Sequence, residues 1–254
     1  MTDAVSYTHD AGVSTVRLDR PEKYNAMTLP MWRAVTDAVR RADADDARAI
    51  VLTGAGDLFC AGDDIGALAD IEDERDVRDL VDTLSDCFET IERSPVPVVG
   101  RANGSAYGGG FELLLAADVT VVPEGATFAL PETKIGAMPL YAAKRLTAAV
   151  GKQRAADLAL TGRELDGETA VDWGLFARAV PEADLDETVA ELVAAFERAS
   201  PAATATTKAW LNEPLQSPAE RVGMRTGLGY LFSGPDAREG AEAFLADRDP
   251  DYAE

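Results

Sequence analysis

The chain predicts an α/β fold. Through its first half, apolar segments of strand length alternate with amphipathic segments of helix length, and glycine-rich stretches stand where a strand ends and a helix begins. The chain has 254 residues, 46% of them hydrophobic, which is enough for a substantial core in one or two domains.

The elements follow in order. After a hairpin turn at Asp10-Ala11-Gly12, residues 13–18 alternate apolar and polar side chains as a half-buried strand does. Thr28 is placed to cap a helix whose apolar face is Met31, Ala34, Val35, Ala38, Val39 and Ala42, spaced i, i+3, i+4, i+7. Residues 49–52 form the next strand, and a glycine-rich loop runs from 54 to 65. The acidic stretch 70–76 reads as a surface loop before a helix that presents Val77, Leu80, Val81, Leu84, Phe88 and Ile91 on one face. A strand starts at Val96, a turn falls at Asn103-Gly104, and a helix begins at Gly110. Residues 119–122 and 127–130 are short strands. From about Gln153 the chain is mostly helical. Gly174 ends a helix begun after Asp166, and residues 175–180 return as a strand. Ser200 caps a helix opened by Pro201 and carrying Trp210. Residues 218–232 and 235–247 are amphipathic.

Charge narrows the function classes. There are 45 acidic residues against 24 basic ones, a formal net charge of −21. Phosphate binding along a nucleic acid needs a basic face, so nucleic acid is excluded as the main partner. The acids are spread along amphipathic segments rather than gathered in a tail. Their mutual repulsion is relieved by salt, so a protein adapted to a salty cytoplasm is expected. No stretch is long and uncharged enough to span a bilayer. Met1-Thr2-Asp3-Ala4 lacks the basic and apolar regions of a secretory signal, and a cytoplasmic location is expected. Two cysteines, Cys60 and Cys87, make neither a disulfide framework nor a metal pattern. The single histidine, His9, offers Cys60 no base partner, so a buried thiol is the better reading. No metal constellation is present, and Gly108-Gly109-Gly110 lacks the dinucleotide-binding spacing.

The most informative run is Ala106-Tyr107-Gly108-Gly109-Gly110-Phe111-Glu112-Leu113-Leu114. Three glycines expose backbone amides at a helix start, where they have no intrahelical partner and face the positive end of the dipole. Such a place suits an oxygen that is gaining negative charge. Glu112 stands one turn further on. Glycines of this kind also serve close helix–sheet packing, so the run alone admits both readings. A second strand–loop–helix stretch, Val51-Leu52-Thr53-Gly54-Ala55-Gly56-Asp57-Leu58-Phe59-Cys60-Ala61-Gly62-Asp63-Asp64-Ile65, offers a further amide, that of Asp63.

Together these stretches resemble the crotonase, or enoyl-CoA hydratase/isomerase, superfamily. The resemblance begins at Leu18-Asp19-Arg20-Pro21-Glu22-Lys23-Tyr24-Asn25-Ala26-Met27, passes through both glycine-rich motifs and Phe128-Ala129-Leu130-Pro131-Glu132, and ends at Glu239-Gly240-Ala241-Glu242-Ala243-Phe244-Leu245. It implies a spiral of ββα turns over residues 1–198 and a C-terminal helical region over 199–254 that packs between subunits in trimers, often paired as hexamers. Trp210, Tyr230 and Phe232 fit such an interface, and packing within one subunit fits them equally.

The resemblance also implies a chemistry. The substrate is an acyl-CoA thioester that passes through an enolate, with coenzyme A entering as part of the substrate and no cofactor held permanently. The amides of Asp63 and Gly109 form the oxyanion hole, in which loss of one donor costs roughly 3–4 kcal/mol. Glu112 and Glu132 match the paired glutamates of the family's hydratases. In that template Glu112 deprotonates a water for attack at C3, and Glu132 supplies the proton arriving at C2. Two carboxyls in one apolar pocket push one pKa upward, so one can act as acid while the other is base. Lys23, Tyr24, Ala26, Ala61, Gly62, Asp64, Ile65, Gly108, Tyr141 and Arg248 are the residues implied to bind the substrate or its CoA, with Arg20 as a further cation. Surface pairing of these arginines with nearby acids is the alternative.

The chain departs from the family at three places. Asp63 stands where a small or apolar residue is usual, so its carboxylate must point away from the enolate oxygen or be protonated. A first-turn carboxylate favoured by the helix dipole is the plainer account of Asp63 and Asp64. Asp247-Arg248-Asp249 replaces a more basic pattern. The hydratases' Pro-Gly-x-Gly-Gly turn is replaced by Met138-Pro139-Leu140-Tyr141-Ala142-Ala143, with Lys144-Arg145-Leu146 following. This last change is expected to reshape the acyl pocket or displace the water. The leading expectation is hydration of a 2-enoyl-CoA to 3-hydroxyacyl-CoA. The alternatives are isomerisation of a 3-enoyl-CoA, with Glu132 carrying the proton, and a non-catalytic acyl-CoA binder.

Overall fold

The computed structural model describes residues 2–69, 71–212, 222, 225, 226, 229 and 233–248. Six strands form the main sheet: β1 (Val5–Asp10), β2 (Val13–Leu18), β3 (Ala49–Gly54), β4 (Val98–Arg101), β6 (Val119–Pro123) and β9 (Arg178–Val180). They lie in the order β1-β2-β3-β4-β6-β9. β1 and β2 are an antiparallel hairpin, and every later neighbour is parallel. β3 is buried along its whole length because helices cover both sides of the sheet. A second sheet of three short strands joins β5 (Ala106–Tyr107), β7 (Thr127–Ala129) and β8 (Leu165–Asp166).

One face of the main sheet meets α1 (Leu29–Ala44) and α3 (Glu74–Arg93). Their buried faces hold the residues expected from the spacing, with Trp32, Phe59, Phe111 and Phe128 completing the core between them and the second sheet. Ala49, Val51, Val99 and Val121 point to the other face, where Leu185, Val189 and Val193 of α7 (Leu185–Arg198) cover them. The remaining helices are α2 (Ile65–Ala69), α4 (Gly109–Ala116), α5 (Ala142–Thr161), α6 (Gly167–Asp172), α8 (Pro201–Asn212) and α9 (Pro235–Leu245). Among the described residues no helix is long and apolar enough to cross a membrane, and no cluster of three metal-ligating side chains occurs.

Several boundaries differ from the sequence expectation, each for a local reason. The acidic stretch 70–76 is only partly loop. Asp73 accepts the amides of Arg75 and Asp76 and closes a capping box with Asp76, so α3 already starts at Glu74. α4 begins at Gly109, one residue early, because Gly108 is its N-cap. β4 starts at Val98 rather than Val96, after the bend imposed by Pro95 and Pro97. Of residues 175–180 only Arg178–Val180 pair as a strand, since the amide of Leu175 is drawn back to Ala170 O at 2.9 Å. The helix expected from about Gln153 starts at Ala142, and Gly151 (φ 75°) breaks it part-way. Most of the segment 218–232, with Tyr230 and Phe232, lies outside the described residues. Trp210 is 73% exposed.

Candidate active site

Two glycine-rich loops meet at the end of the second sheet. The first is held from beneath by Asn25, whose buried amide donates to Ala55 O, Leu58 O and Phe59 O at 2.8, 2.9 and 3.0 Å while its Oδ1 accepts Arg20 N at 3.0 Å. Asn25 takes this post with φ 56°, a conformation asparagine tolerates better than most residues. Further along, Met27 N donates to Gly62 O and Asp64 N to Met27 O, both at 2.8 Å, which fixes residues 62–64 against the chain before α1.

Gly62 (φ 97°) and Gly108 (φ 51°) turn the two loops toward each other. A β-carbon on Gly62 would lie 2.9 Å from Tyr107 O and 3.5 Å from Gly108 Cα, so the loops touch through glycine alone. The next amide in each loop, that of Asp63 and that of Gly109, finds no acceptor among the described residues. Gly109 opens α4, where the helix dipole favours negative charge.

Three carboxyls gather around these amides. Glu112, 2% exposed on the first turn of α4, accepts Tyr141 N and Ala142 N on Oε1, both at 2.8 Å. Burial pushes its pKa up to about 7 against the pull of those two amides, and the charge of Asp63 adds to the rise. Glu132 follows Pro131 at the start of a single 3-10 turn, Glu132–Ile135. Its Oε2 is buried with no hydrogen-bond partner. Burial, then the charges of Glu112 and Asp63, hold its carboxyl well above the ordinary range. Glu132 Oε1 lies 3.3 Å from where a β-carbon on Gly108 would stand.

Asp63 is the third. Its Oδ1 accepts the indole N–H of Trp32 at 2.8 Å, and burial raises its pKa to about 6. Its Oδ2 lies 3.1 Å from the position of a β-carbon on Gly109. The carboxyl that had to turn away or be protonated is therefore turned onto α1 and made easier to protonate.

A cavity of about 70 Å³ opens beside these groups. Ala61, Gly62, Asp63, Ile65, Gly108 and Glu132 line it, with Leu68, Leu80, Leu84, Met138 and Leu140 as apolar walls. The remaining expected residues fall elsewhere. Lys23 and Tyr24 are exposed on a turn, Tyr24 at 68%, with Ala26 half-buried beside them. Asp64 is bound to Arg20 at 2.7 Å and accepts Gly66 N at 3.0 Å, so both charges serve the start of α2. Arg248 pairs with Glu239 at 2.5 Å. Tyr141 corrects the expectation most. It is 2% exposed and absent from the cavity wall, its ring stacked on Phe88 at 4.4 Å and its hydroxyl donated to Glu92 at 2.6 Å. The glycine-poor turn, expected to reshape the acyl pocket or displace the water, brings the amides of Tyr141 and Ala142 to Glu112.

Trp32, Asn25 and the Glu92–Arg145 pair were not read from the sequence as parts of the site. Trp32 adjoins the apolar face of α1, and a buried indole N–H requires an acceptor, which was the available signal. Cys60 is the buried thiol expected, and Cys87 is buried as well; burial pushes both up to about 12.

The sequence profile described as Enoyl-CoA hydratase/isomerase matches residues 8–254. A probable enoyl-CoA hydratase of Rhodobacter capsulatus is 36% identical over 255 residues, covering 98% of this chain and 97% of the relative. A carnitinyl-CoA dehydratase of Salmonella typhimurium is 33% identical over 267 residues, covering 98% of each. The crystal structure of an enoyl-CoA hydratase from Mycobacterium avium subsp. paratuberculosis superposes with a TM-score of 0.88 at 29% identity, over the whole of both chains. With a profile match over residues 8–254 and a relative 36% identical along nearly its whole length, on a fold that sets two acceptor-free amides near Glu112 and Glu132, the chain belongs to the enoyl-CoA hydratase/isomerase family.

Proposed function

We propose that the protein is a hydratase of 2-enoyl-CoA thioesters. The observation that carries this reading is the meeting at one cavity of Gly62, Asp63 and Gly108 with Glu132, whose buried Oε2 has no partner, next to the acceptor-free amides of Asp63 and Gly109. The thioester oxygen sits between the amides of Asp63 and Gly109, which stabilise it as the enolate forms. Both amide bonds to Glu112 fall on Oε1, which leaves Oε2 for a water that attacks C3. Glu132 delivers the proton to C2. A carboxyl whose buried Oε2 has no hydrogen-bond partner, and whose pKa burial and the neighbouring charges raise, holds a proton more readily than an exposed glutamate and can deliver it there. Lys23, exposed on its turn, meets the CoA phosphates in this reading, and the chain self-associates through α8, where Trp210 and Leu211 are 73% and 74% exposed.

Loss of absorbance by crotonyl-CoA in molar KCl tests the assignment. Glu112→Gln and Glu132→Gln are each expected to lower kcat by on the order of 10²–10⁴. A wild-type rate no higher than theirs would sink it. The same unpartnered Glu132 supports a second reading, in which it carries a proton between C2 and C4 of a 3-enoyl-CoA. Incorporation of ¹⁸O from water at C3 separates the two. A third reading, a non-catalytic binder, predicts acyl-CoA binding by calorimetry without turnover.

A further inference from the structure

A buried ion pair lies behind Glu112 and takes no part in the chemistry above. Arg145 Nη2 meets Glu92 Oε1 at 2.7 Å and Oε2 at 2.9 Å, with side-chain exposures of 10% and 5%. Removing two charges from water costs as much as their attraction returns, and well-packed apolar residues would hold a core at least as well. Arg145 is not even fully satisfied, since Nε and Nη1 are buried without a hydrogen-bond partner among the described residues. Stability alone gives no account of the pair.

What the pair grips is Tyr141. Glu92 Oε1 accepts the tyrosine hydroxyl at 2.6 Å, and the Arg145 guanidinium lies over its ring at 4.6 Å. Phe88 of α3 stacks on the ring at 4.4 Å with 28° between the planes. The side chain is thus held at its tip and by its two neighbours, on the residue that caps α5. The backbone N–H of that residue, with the next one along, makes both bonds to Glu112.

We propose that Glu92, Arg145 and the Tyr141 side chain are positioning residues, which clamp the first turn of α5 so that its two amides hold Glu112 in a single orientation. None of them touches the cavity, so their effect passes through the backbone of residues 141–142. The family's hydratases place glycines at this turn. Here a tyrosine anchored from behind stands at the turn, and its amide and the next reach Glu112 at 2.8 Å. The proposal rests on the hydratase reading only for its kinetic consequences.

The test follows the carboxyl of Glu112 by NMR in protein labelled with ¹³C at the glutamate carboxyl, its signal identified by its loss in Glu112→Gln. The charged groups that bear on that titration are Glu132 and Asp63 around Glu112, and Glu92 and Arg145 around Tyr141. In Tyr141→Phe and Arg145→Ala the amide bonds slacken, and the midpoint is expected to rise by about half a unit or more. Arg145→Lys keeps a cation beside Glu92 and is expected to return it toward wild type. With crotonyl-CoA, kcat should fall about tenfold or more in the first two variants while KM stays within about twofold, because a displaced base costs rate rather than binding. Should Arg145→Ala fail to fold, Tyr141→Phe decides alone. A midpoint and kcat equal to wild type in folded Tyr141→Phe overturn the proposal, as does a change of KM and kcat together with no shift in midpoint. A wild-type protein that turns over no enoyl-CoA defeats the hydratase reading and leaves the titration to judge the clamp.

Discussion

At the scale of single residues, Glu112 is held where ionising is costly, and this has a sign in pH. Its folded pKa of about 7 lies above the value of about 4.3 expected in the unfolded chain. A carboxyl of this kind supports the fold while it is protonated in both states. That support fades as pH rises from the unfolded pKa through the folded one. Glu112→Gln cannot ionise, so its melting temperature relative to wild type should be higher at pH 8 than at pH 5. Differential scanning calorimetry at the two pH values checks this, and equal offsets would contradict it. On the hydratase reading the rate runs the other way, because Glu112 acts there as the base and must be ionised. kcat/KM on crotonyl-CoA should climb through about pH 7, with an alkaline fall when the pair loses its second proton. On that reading Glu112 trades stability for activity at neutral pH. The sequence named both glutamates as candidates, Glu112 one turn beyond the glycine run and Glu132 from the family resemblance. Asp63's carboxyl was legible only as a problem, since its solution is an indole 31 residues away.

Among the elements that carry none of the candidate catalytic groups, α9 bears on the site through Glu132. It packs against the 3-10 turn that carries Glu132. A β-carbon on Gly240 would lie 2.4 Å from both the carbonyl carbon and oxygen of Ile135, a backbone contact that no side-chain rotation relieves. Gly240→Ala must push the turn or the helix aside, and overpacking of this kind costs about 1–3 kcal/mol. A lower melting temperature is expected, together with a fall in kcat/KM of about tenfold, because Glu132 moves with the turn. Wild-type kcat/KM in the variant would show that the turn is held by other means. Element identities were largely readable, since the 3.6-residue periodicity of α1 and α3 and the strand-like runs of β2, β3 and β6 are strong signals. The misread boundaries lay where a short polar group competes with the pattern, as with Asp73 starting α3 inside an acidic loop. Two-residue strands such as β5 have no period to read.

For the molecule as a whole, charge decides the conditions of stability. Arg33–Asp79 at 2.6 Å and Arg40–Asp86 at 2.8 Å tie α1 to α3 across the surface, but exposed pairs contribute only about 0.2–1 kcal/mol each. They leave a formal net charge of −21, whose repulsion acts on the whole fold. The melting temperature should therefore rise between low and molar KCl, since screening relieves the repulsion more than it weakens the pairs. A flat or falling trend, measured by calorimetry at fixed pH, would refute the salt adaptation read from composition. The sequence by itself determined the α/β class and the family, and named the two glycine-rich corners and the two glutamates as candidates, because each is written in a local pattern of spacing or backbone freedom. Only the tertiary structure decided that Tyr141 faces the core, that Arg20 and Asp64 neutralise each other, and that the turn at 138–143 still brings its amides to Glu112. Those outcomes depend on which distant side chain fills the space behind a residue: Glu92 and Arg145 behind Tyr141, Trp32 beside Asp63. No run of neighbouring residues records such a juxtaposition, since the packing of α3, α4 and α5 against one another creates it.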